Sequence, residues 1–559
     1  MARSSATKAS TPAPQPTSWL PMLIIALAQI QLAFNIGALQ VSIGGIVEDF
    51  NTVPTSVSTA LVVYSLAVAS FVMLGAKLDR LIGSRLMFQG GVIIHGIAMG
   101  LMALSSSSAN MIQVQGLAGL VAALMVPSLV VLIAHHYQGP QQAQALGLLG
   151  AAQASATVLS FLIAGFLGTF LSWRFAFGLL VFLAIAIFLL SFRLKPVPRQ
   201  PDLKIDWSGV ALVAVAVTLL SLGFNYLNAW GLVLATPNAP FSILGVSPAP
   251  LMIATGLVLG QLFFSWSMMR QKKGLPTLLA LEVLDTVEER SATYVLLVIG
   301  ALGPAINFLI PLYIQIVQGR SSLATSVAVI PYSLAIFAGT ALIVRVFNRF
   351  SPRQIGRFGF ITVTIGVVML AFTVSNDWGT PMVILSLVIT GLAEGSLLTL
   401  IFNVLVSASP KELAGDVGAL RGTANNLSTA LGTAIAGALA VGVLGILITG
   451  LATSNPALPP VLLNQVNLDN VDFVSNDQLK EILAQTSATP EQIDAAMAVN
   501  EEARLRALRA SFLVLAAVAA LAIIPAGGLP AYKPEELNAE DLSADDTRTK
   551  RKKKTAALA

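Results

Sequence analysis

Three observations predict an all-α integral membrane protein. Hydrophobic residues make up 55% of the chain and charged residues 11%, and the mean hydropathy is +0.80. Apolar stretches of roughly twenty residues recur along the chain, each enough to cross ~30 Å of hydrocarbon as a helix. The stretches are continuous instead of short and alternating, which excludes a transmembrane barrel, and a helix satisfies its own backbone hydrogen bonds in lipid.

In chain order, residues 1–18 are rich in Ser, Thr, Pro and Ala, with Arg3 and Lys8, and read as a disordered cytoplasmic tail. Apolar runs between charged or Pro/Gly-rich breaks then predict spans at 19–47, 55–76, 86–106, 111–134, 144–170, 174–194, 208–228, 250–270, 291–317, 323–344, 358–375, 380–406, 422–450 and 510–530. The first run is too long for a signal-peptide core and is predicted to remain as a span. Fourteen spans with the amino terminus inside put the basic clusters at 77–85, 193–204, 270–290 and 345–357 in the cytoplasm, and short external loops then carry only Arg174 and Arg320. This predicts a multi-pass cell-membrane protein with both termini cytoplasmic. The expected units are a six-helix bundle at 19–194, a linker with two extra membrane helices at 195–290, a second six-helix bundle at 291–530, and a cytoplasmic tail at 531–559.

The long external loop, 451–509, has eight acids against four bases. Ser475 or Asn476 is placed to cap one helical turn, and Thr489-Pro490-Glu491-Gln492 reads as a capping box with Pro at the first helical position. The loop is read as an amphipathic cap on the outer face, the alternative being a mobile spacer. In the carboxyl tail, Lys550-Arg551-Lys552-Lys553-Lys554 either sets topology as a solvated run or holds anionic lipid headgroups.

Net charge is +5 and pI about 9.4, but the basic residues are spread through loops instead of forming one aromatic-interleaved patch, so no nucleic-acid partner is expected. The chain has no Cys and three His, which excludes disulfide and thiolate chemistry. His135 and His136 are adjacent with no carboxylate at helical spacing, and His95 reads as a neutral packed imidazole before a proton relay. No metal, cofactor or enzymatic activity is expected.

The apolar run 381–406 contains one carboxylate, Glu394, near its middle, and no other Asp or Glu sits at that depth. A charge there costs at least ~2.5 kcal/mol, and side chains that tolerate it face a cavity, a partner or a proton path. Glu394 is therefore the proton-coupling candidate, the alternative being a permanently protonated side chain bonded to a neighbouring helix. Amides gather in spans one, four, nine and twelve: Gln29, Gln31, Asn35 and Gln40; Gln113 and Gln115; Asn307 and Gln315; and Asn403. Spans two, six, ten, eleven and fourteen have none in their apolar runs, a segregation that predicts a polar cavity. At helical spacing Gln29 and Gln40 share one face and Gln31 and Asn35 another, while Asn403 lies opposite Glu394. Gln29, Asn35, Gln115, Asn307 and Gln315 are the cavity candidates, against the alternative that amides tie helices to one another.

The loop after the second span, Gly75-Ala76-Lys77-Leu78-Asp79-Arg80-Leu81-Ile82-Gly83-Ser84-Arg85, resembles the signature loop of the major facilitator superfamily, with Gly83 one residue later than in the family pattern. Gly75 lets two helices approach, and Asp79 accepts from a helix terminus or pairs with an Arg, so Gly75, Asp79, Arg80, Gly83 and Arg85 are read as a cytoplasmic conformational latch. Arg345, Arg349, Ser351-Pro352-Arg353 and Gly356 form a weaker counterpart in the second half. The division of the spans into six, two and six resembles the fourteen-span drug:proton antiporter branch of that family. Ser172-Trp173-Arg174-Phe175, Asp206-Trp207 with Gly209, Pro311-Leu312-Tyr313-Ile314-Gln315 through to Pro331, and Asn426 with Leu431-Gly432 add to the match. The resemblance implies that the first and fourth helices of each half line a central cavity. Three antiport features are absent: no carboxylate near Leu32, no Arg at Ile112 or Gln115, and Ser160-Phe161 where the branch has Gly-Pro. Proton coupling therefore does not follow from the resemblance.

The functional expectation is a secondary transporter, acting as a monomer, that exports hydrophobic or amphipathic small molecules by alternating access, with membrane lipids and protons as its other partners. One cavity acid without Lys or Arg favours neutral or monocationic compounds. The alternatives are an uncoupled facilitator, a transporter of lipid-like molecules, and a non-transporting sensor or assembly factor with the same fold.

Overall fold

The computed structural model describes residues 18–137, 139–279, 281–284, 286–346, 349–375, 381–408, 414–459, 476–486 and 488–531. Both tails, Ser475 and the middle of the 451–509 loop lie outside the described residues. Among the described residues, fourteen helices are long and apolar enough to cross a membrane. They are α1 (Leu20–Val41), α2 (Pro54–Ile82), α3 (Ser84–Ala103), α4 (Ser108–His136), α5 (Gly139–Phe170), α6 (Trp173–Ser191), α7 (Trp207–Asn225), α8 (Pro248–Lys272), α9 (Val287–Pro311), α10 (Ser322–Val346), α11 (Pro352–Thr373), α12 (Pro381–Ala408), α13 (Ala414–Ser454) and α14 (Pro490–Leu521).

The helix starts follow from local chemistry. Proline occupies the first turn of α2, α8, α11 and α14, where its missing N–H is not needed. Asp206 accepts from the Gly209 N–H (3.1 Å) to cap α7, and it also accepts from Trp266 Nε1 (3.2 Å) and pairs with Arg270 (3.5 Å), which ties α7 to α8. At the opposite membrane face from the Arg80 loop, Trp173 Nε1 donates to Asp49 (3.0 Å) and Arg174 pairs with the same carboxylate (2.7 Å). Two of the family-like motifs are thus helix-to-helix anchors.

Three differences from the sequence reading have physical causes. The first span breaks at Ser42 into α1 and a short helix, Ile43–Phe50, which ends at Asn51 in the left-handed conformation (φ 46°) that Asn tolerates. α13 is 41 residues long, about 60 Å at 1.5 Å per residue, so it extends well past the bilayer core. The Thr489 capping box forms as predicted, but the helix it starts runs unbroken into α14, so the last span begins about twenty residues earlier than its hydropathy suggests. Ala495, Ala496 and Val499 of this extension pack on Ala452 and Leu458 at the end of α13.

The helices form two six-helix bundles with the same wiring. In the first, α2 packs on α4, α3 on α4 and α6, and α1 on α5; in the second, α10 packs on α12, α11 on α12 and α14, and α9 on α13. The bundles meet through α2 against α13 and α5 against α10. The inserted helices α7 and α8 pack on each other, with α7 against the α2 and α13 seam.

Candidate functional site

Glu394 sits on α12 with 5% of its surface exposed. Tyr332 of α10 donates its hydroxyl to Glu394 Oε2 in a short hydrogen bond. The other oxygen lies against Gly303 of α9, where an added Cβ would stand 2.0 Å from Oε1, so only a residue without a side chain can seat the acid there. Small residues also set the α10 to α12 spacing: a Cβ on Gly391 or Gly395 would fall 2.5 Å or 2.0 Å from the carbonyls of Tyr332 and Ile336. The two glycines flank Glu394 at the spacing of a close-packing motif, and they bring the phenol to the carboxylate.

Asn307 lies one turn beyond Gly303 on α9, hence on the face that meets Glu394. Its Oδ1 is buried with no hydrogen-bond partner among the described residues. A buried acceptor left open in this way costs roughly 1–3 kcal/mol and is met by a ligand or water donor. Pro304 between them, Pro331 beside Tyr332 and Pro127 in α4 all lie inside helices.

The remaining cavity candidates take different places. Asn35 of α1 and Gln115 of α4 exchange reciprocal amide hydrogen bonds (3.0 and 3.1 Å), and both are fully buried. Beside them Gln31 bonds His95 of α3 (3.0 Å), again with both side chains closed to solvent. Gln29 is half-buried and belongs to neither pair. Gln315 accepts from the Gly44 N–H (2.6 Å) and donates to the Val41 carbonyl (2.9 Å), so it clamps the second bundle onto the break in the first span. It occupies a π-helical stretch, Leu312–Val317, that follows Pro311 and shifts its phase relative to Asn307.

The signature loop is tied within its own bundle. A Cβ on Gly75 would lie 2.2 Å from the Ala123 carbonyl of α4, which fits the close approach expected of it. Asp79 is 1% exposed and accepts from Ser84 (2.6 Å) and Ser128 (2.5 Å), so its described partners are hydroxyls and not the helix terminus or Arg expected. Arg85 donates to the Phe192 carbonyl at the end of α6 (3.1 Å), and the Arg80 carbonyl accepts from the Gln200 N–H (2.8 Å). In the second bundle Arg353 donates to the Leu529 carbonyl just past α14 (3.1 Å), the equivalent bond in the repeat.

Sequence reasoning missed Tyr332, Gly303 and Ser128. Gly391 and Gly395, four apart around an acid, were a readable signal for the first; nothing in the sequence links Ser128 to Asp79.

The sequence model described as Major Facilitator Superfamily matches residues 25–433. Among curated relatives, the chain is 24% identical to the "Probable actinorhodin transporter" of Streptomyces coelicolor, over 78% of this chain and 75% of that one. It is 24% identical to the "Multidrug efflux pump LfrA" of Mycolicibacterium smegmatis, over 76% and 81%. Among solved structures, a bacterial homolog of the human lysosomal transporter Spinster superposes with a TM-score of 0.57 at 14% identity, covering 93% of this chain and 100% of that one.

Proposed function

The chain belongs to the major facilitator superfamily, and we propose that it is a proton-coupled exporter of amphipathic small molecules in which Glu394 carries the coupling proton. The observation that carries this reading is the seat of Glu394 between Tyr332 and Gly303, at mid-helix and beside the open acceptor of Asn307. Export is supported by the relatives, whose names describe actinorhodin transport and multidrug efflux.

In the carboxylate form Glu394 accepts from Tyr332; once protonated it becomes a donor, and the phenol is released to accept instead. That exchange alters the contact between α10 and α12, two helices with no side-chain padding between them at Gly391 and Gly395. A monocationic substrate competes with the proton for the same negative charge, and Asn307 supplies the acceptor for its N–H or O–H. The bundles 19–194 and 291–530 are the bodies that rock, and the Gln315 clamp closes the face at which α1 ends. That face is external if both termini are cytoplasmic, as the basic loops favour.

The test is uptake of a fluorescent lipophilic monocation into proteoliposomes under an imposed pH gradient. Gradient-dependent uptake supports the reading. Equal uptake with and without the gradient leaves an uncoupled facilitator, and no uptake of neutral or cationic probes leaves the non-transporting alternative.

A further inference from the structure

A cavity of about 340 Å³ opens where the end of α2, the start of α3 and the end of α6 meet the chain leading to α7. Two arginines line it from different segments. Arg85 is held by the Phe192 carbonyl and stacks its guanidinium 6.0 Å from the Phe192 ring centre, and only one of its N–H groups is taken up by that carbonyl. Arg199 crosses Gly83: a Cβ there would stand 3.3 Å from Arg199 Cγ and 3.4 Å from Nε, and φ of 104° already excludes most side chains. This gives the displaced glycine of the signature loop a local purpose, since it lets the linker arginine lie over the loop. The Gln200 N–H to Arg80 carbonyl bond and the Gln89 to Ser191 bond (3.0 Å) fix both walls.

No lining residue is acidic. Asp79, the nearest carboxylate on α2, is turned inward onto Ser84 and Ser128. Along the rim, Ile82, Leu86 and Phe192 are 39%, 48% and 55% exposed, an apolar border next to the basic floor. Guanidinium groups bind phosphate oxygens in paired, charge-assisted bonds, and basic pockets between membrane helices at a basic membrane face suit anionic headgroups. We propose that this notch binds the headgroup phosphate of an anionic phospholipid, with its acyl chains along Ile82, Leu86 and Phe192. The apolar rim distinguishes a lipid from a free phosphate ester of the same charge. A lipid seated there bridges the signature loop and the linker to the inserted helices.

The experiment is native mass spectrometry of the full-length protein in detergent with dioleoylphosphatidylglycerol, with dioleoylphosphatidylcholine and glycerol 3-phosphate as competitors. Wild type retains one phosphatidylglycerol that neither competitor displaces at equal concentration. R85Q/R199Q lowers its affinity by about tenfold or more, the loss expected for charge-assisted phosphate contacts. K204Q/K273Q removes the same charge outside the notch and leaves binding unchanged. R199Q alone, at an exposed position, serves if the double variant does not fold and lowers affinity in the same direction. Wild-type affinity in the arginine variants, or displacement by phosphatidylcholine, overturns the site. Displacement by glycerol 3-phosphate overturns the lipid assignment in favour of a free-anion site.

Discussion

In the first bundle, Tyr64 of α2 lies over Gly119 of α4, where a Cβ would fall 2.3 Å from the Tyr64 carbonyl; in the second, Tyr332 of α10 lies over Gly391 of α12 in the same way. Tyr332 and Arg353 are separated along the chain as Tyr64 and Arg85 are, so the two tyrosines are repeat equivalents. Just under a turn beyond each glycine the first bundle has Ala122 and the second Glu394, both buried. The repeat therefore builds one socket twice and puts an acid in only one copy. In the first bundle Asn35 and Gln115 satisfy each other, and Gln31 bonds His95 while Gln31 Oε1 and His95 Nε2 have no partner among the described residues; the second keeps a carboxylate with one donor and an amide acceptor with none described. A self-satisfied pair stiffens a bundle, whereas an incompletely satisfied acid responds to a proton or a cation. If Glu394 carries the coupling proton as proposed, energy coupling belongs to the second bundle and the Asn35–Gln115 pair of the first is scaffold.

The largest expected effect breaks the asymmetry outright. Glu394→Gln keeps the shape and hydrogen-bonding capacity of the protonated acid and holds no exchangeable charge. Gradient-driven uptake in proteoliposomes is expected to fall to the level of protein-free vesicles, with binding of neutral ligands retained. Undiminished gradient-driven uptake by this variant would falsify the coupling role.

The paired tyrosines sharpen the comparison next. Tyr332→Phe removes the one described donor to Glu394, and a hydrogen bond to a charged group is worth about 1.5–3 kcal/mol. Transport is expected to drop by roughly tenfold or more, with its pH profile displaced, because about 1.4 kcal/mol is a factor of ten. Tyr64→Phe alters the equivalent hydroxyl where no acid faces it, and should change stability and uptake by less than about 0.5 kcal/mol. Matching phenotypes for the two variants would show that the sockets are equivalent after all.

The clamp between bundles is a smaller lever. Gln315→Leu removes the two hydrogen bonds that tie the second bundle to the break in the first span, about 1–2 kcal/mol in all. Ser42 is 1% exposed, so in a chain without cysteine Ser42→Cys reports opening of that face by its rate of thiol labelling. The Gln315→Leu background should label several times faster, and an equal rate would mean that the clamp does not hold the face shut.

Much of this was legible in the sequence because hydrocarbon enforces it. Span count and architecture follow from apolar length, and the depth of Glu394 from its place in an apolar run. What the sequence hid were phase and partnership. The π turn after Pro311 moved Gln315 off the face that α-helical spacing gives it. Asn35 and Gln115 were legible as buried amides, but periodicity cannot say whether two amides meet each other or a ligand. Tyr332 was invisible because a tyrosine in an apolar run reads as packing until a neighbouring helix brings it an acceptor. α14 was misjudged at its start because its outer turns carry Arg504, which hydropathy reads as loop, although the side chain is fully buried against the bundle.

The amide pair of the first bundle provides the mildest and most discriminating test. If Asn35 and Gln115 are scaffold, their value lies in satisfying each other, and removing one is worse than removing both. Asn35→Leu leaves the Gln115 amide buried without its partner, a cost of about 1–3 kcal/mol, whereas Asn35→Leu with Gln115→Leu replaces the pair by apolar contact. Interhelical hydrogen bonds inside membranes average about 0.6 kcal/mol and reach ~1.7, because the unfolded chain also finds partners in the bilayer. The thermal midpoint in detergent should therefore fall for each single variant and recover in the double, with a coupling energy in that range. Uptake per folded molecule should stay near wild type in all three. A double variant as stable as the parent but unable to transport would place this pair in the substrate path, and the division of labour between the two bundles would have to be redrawn.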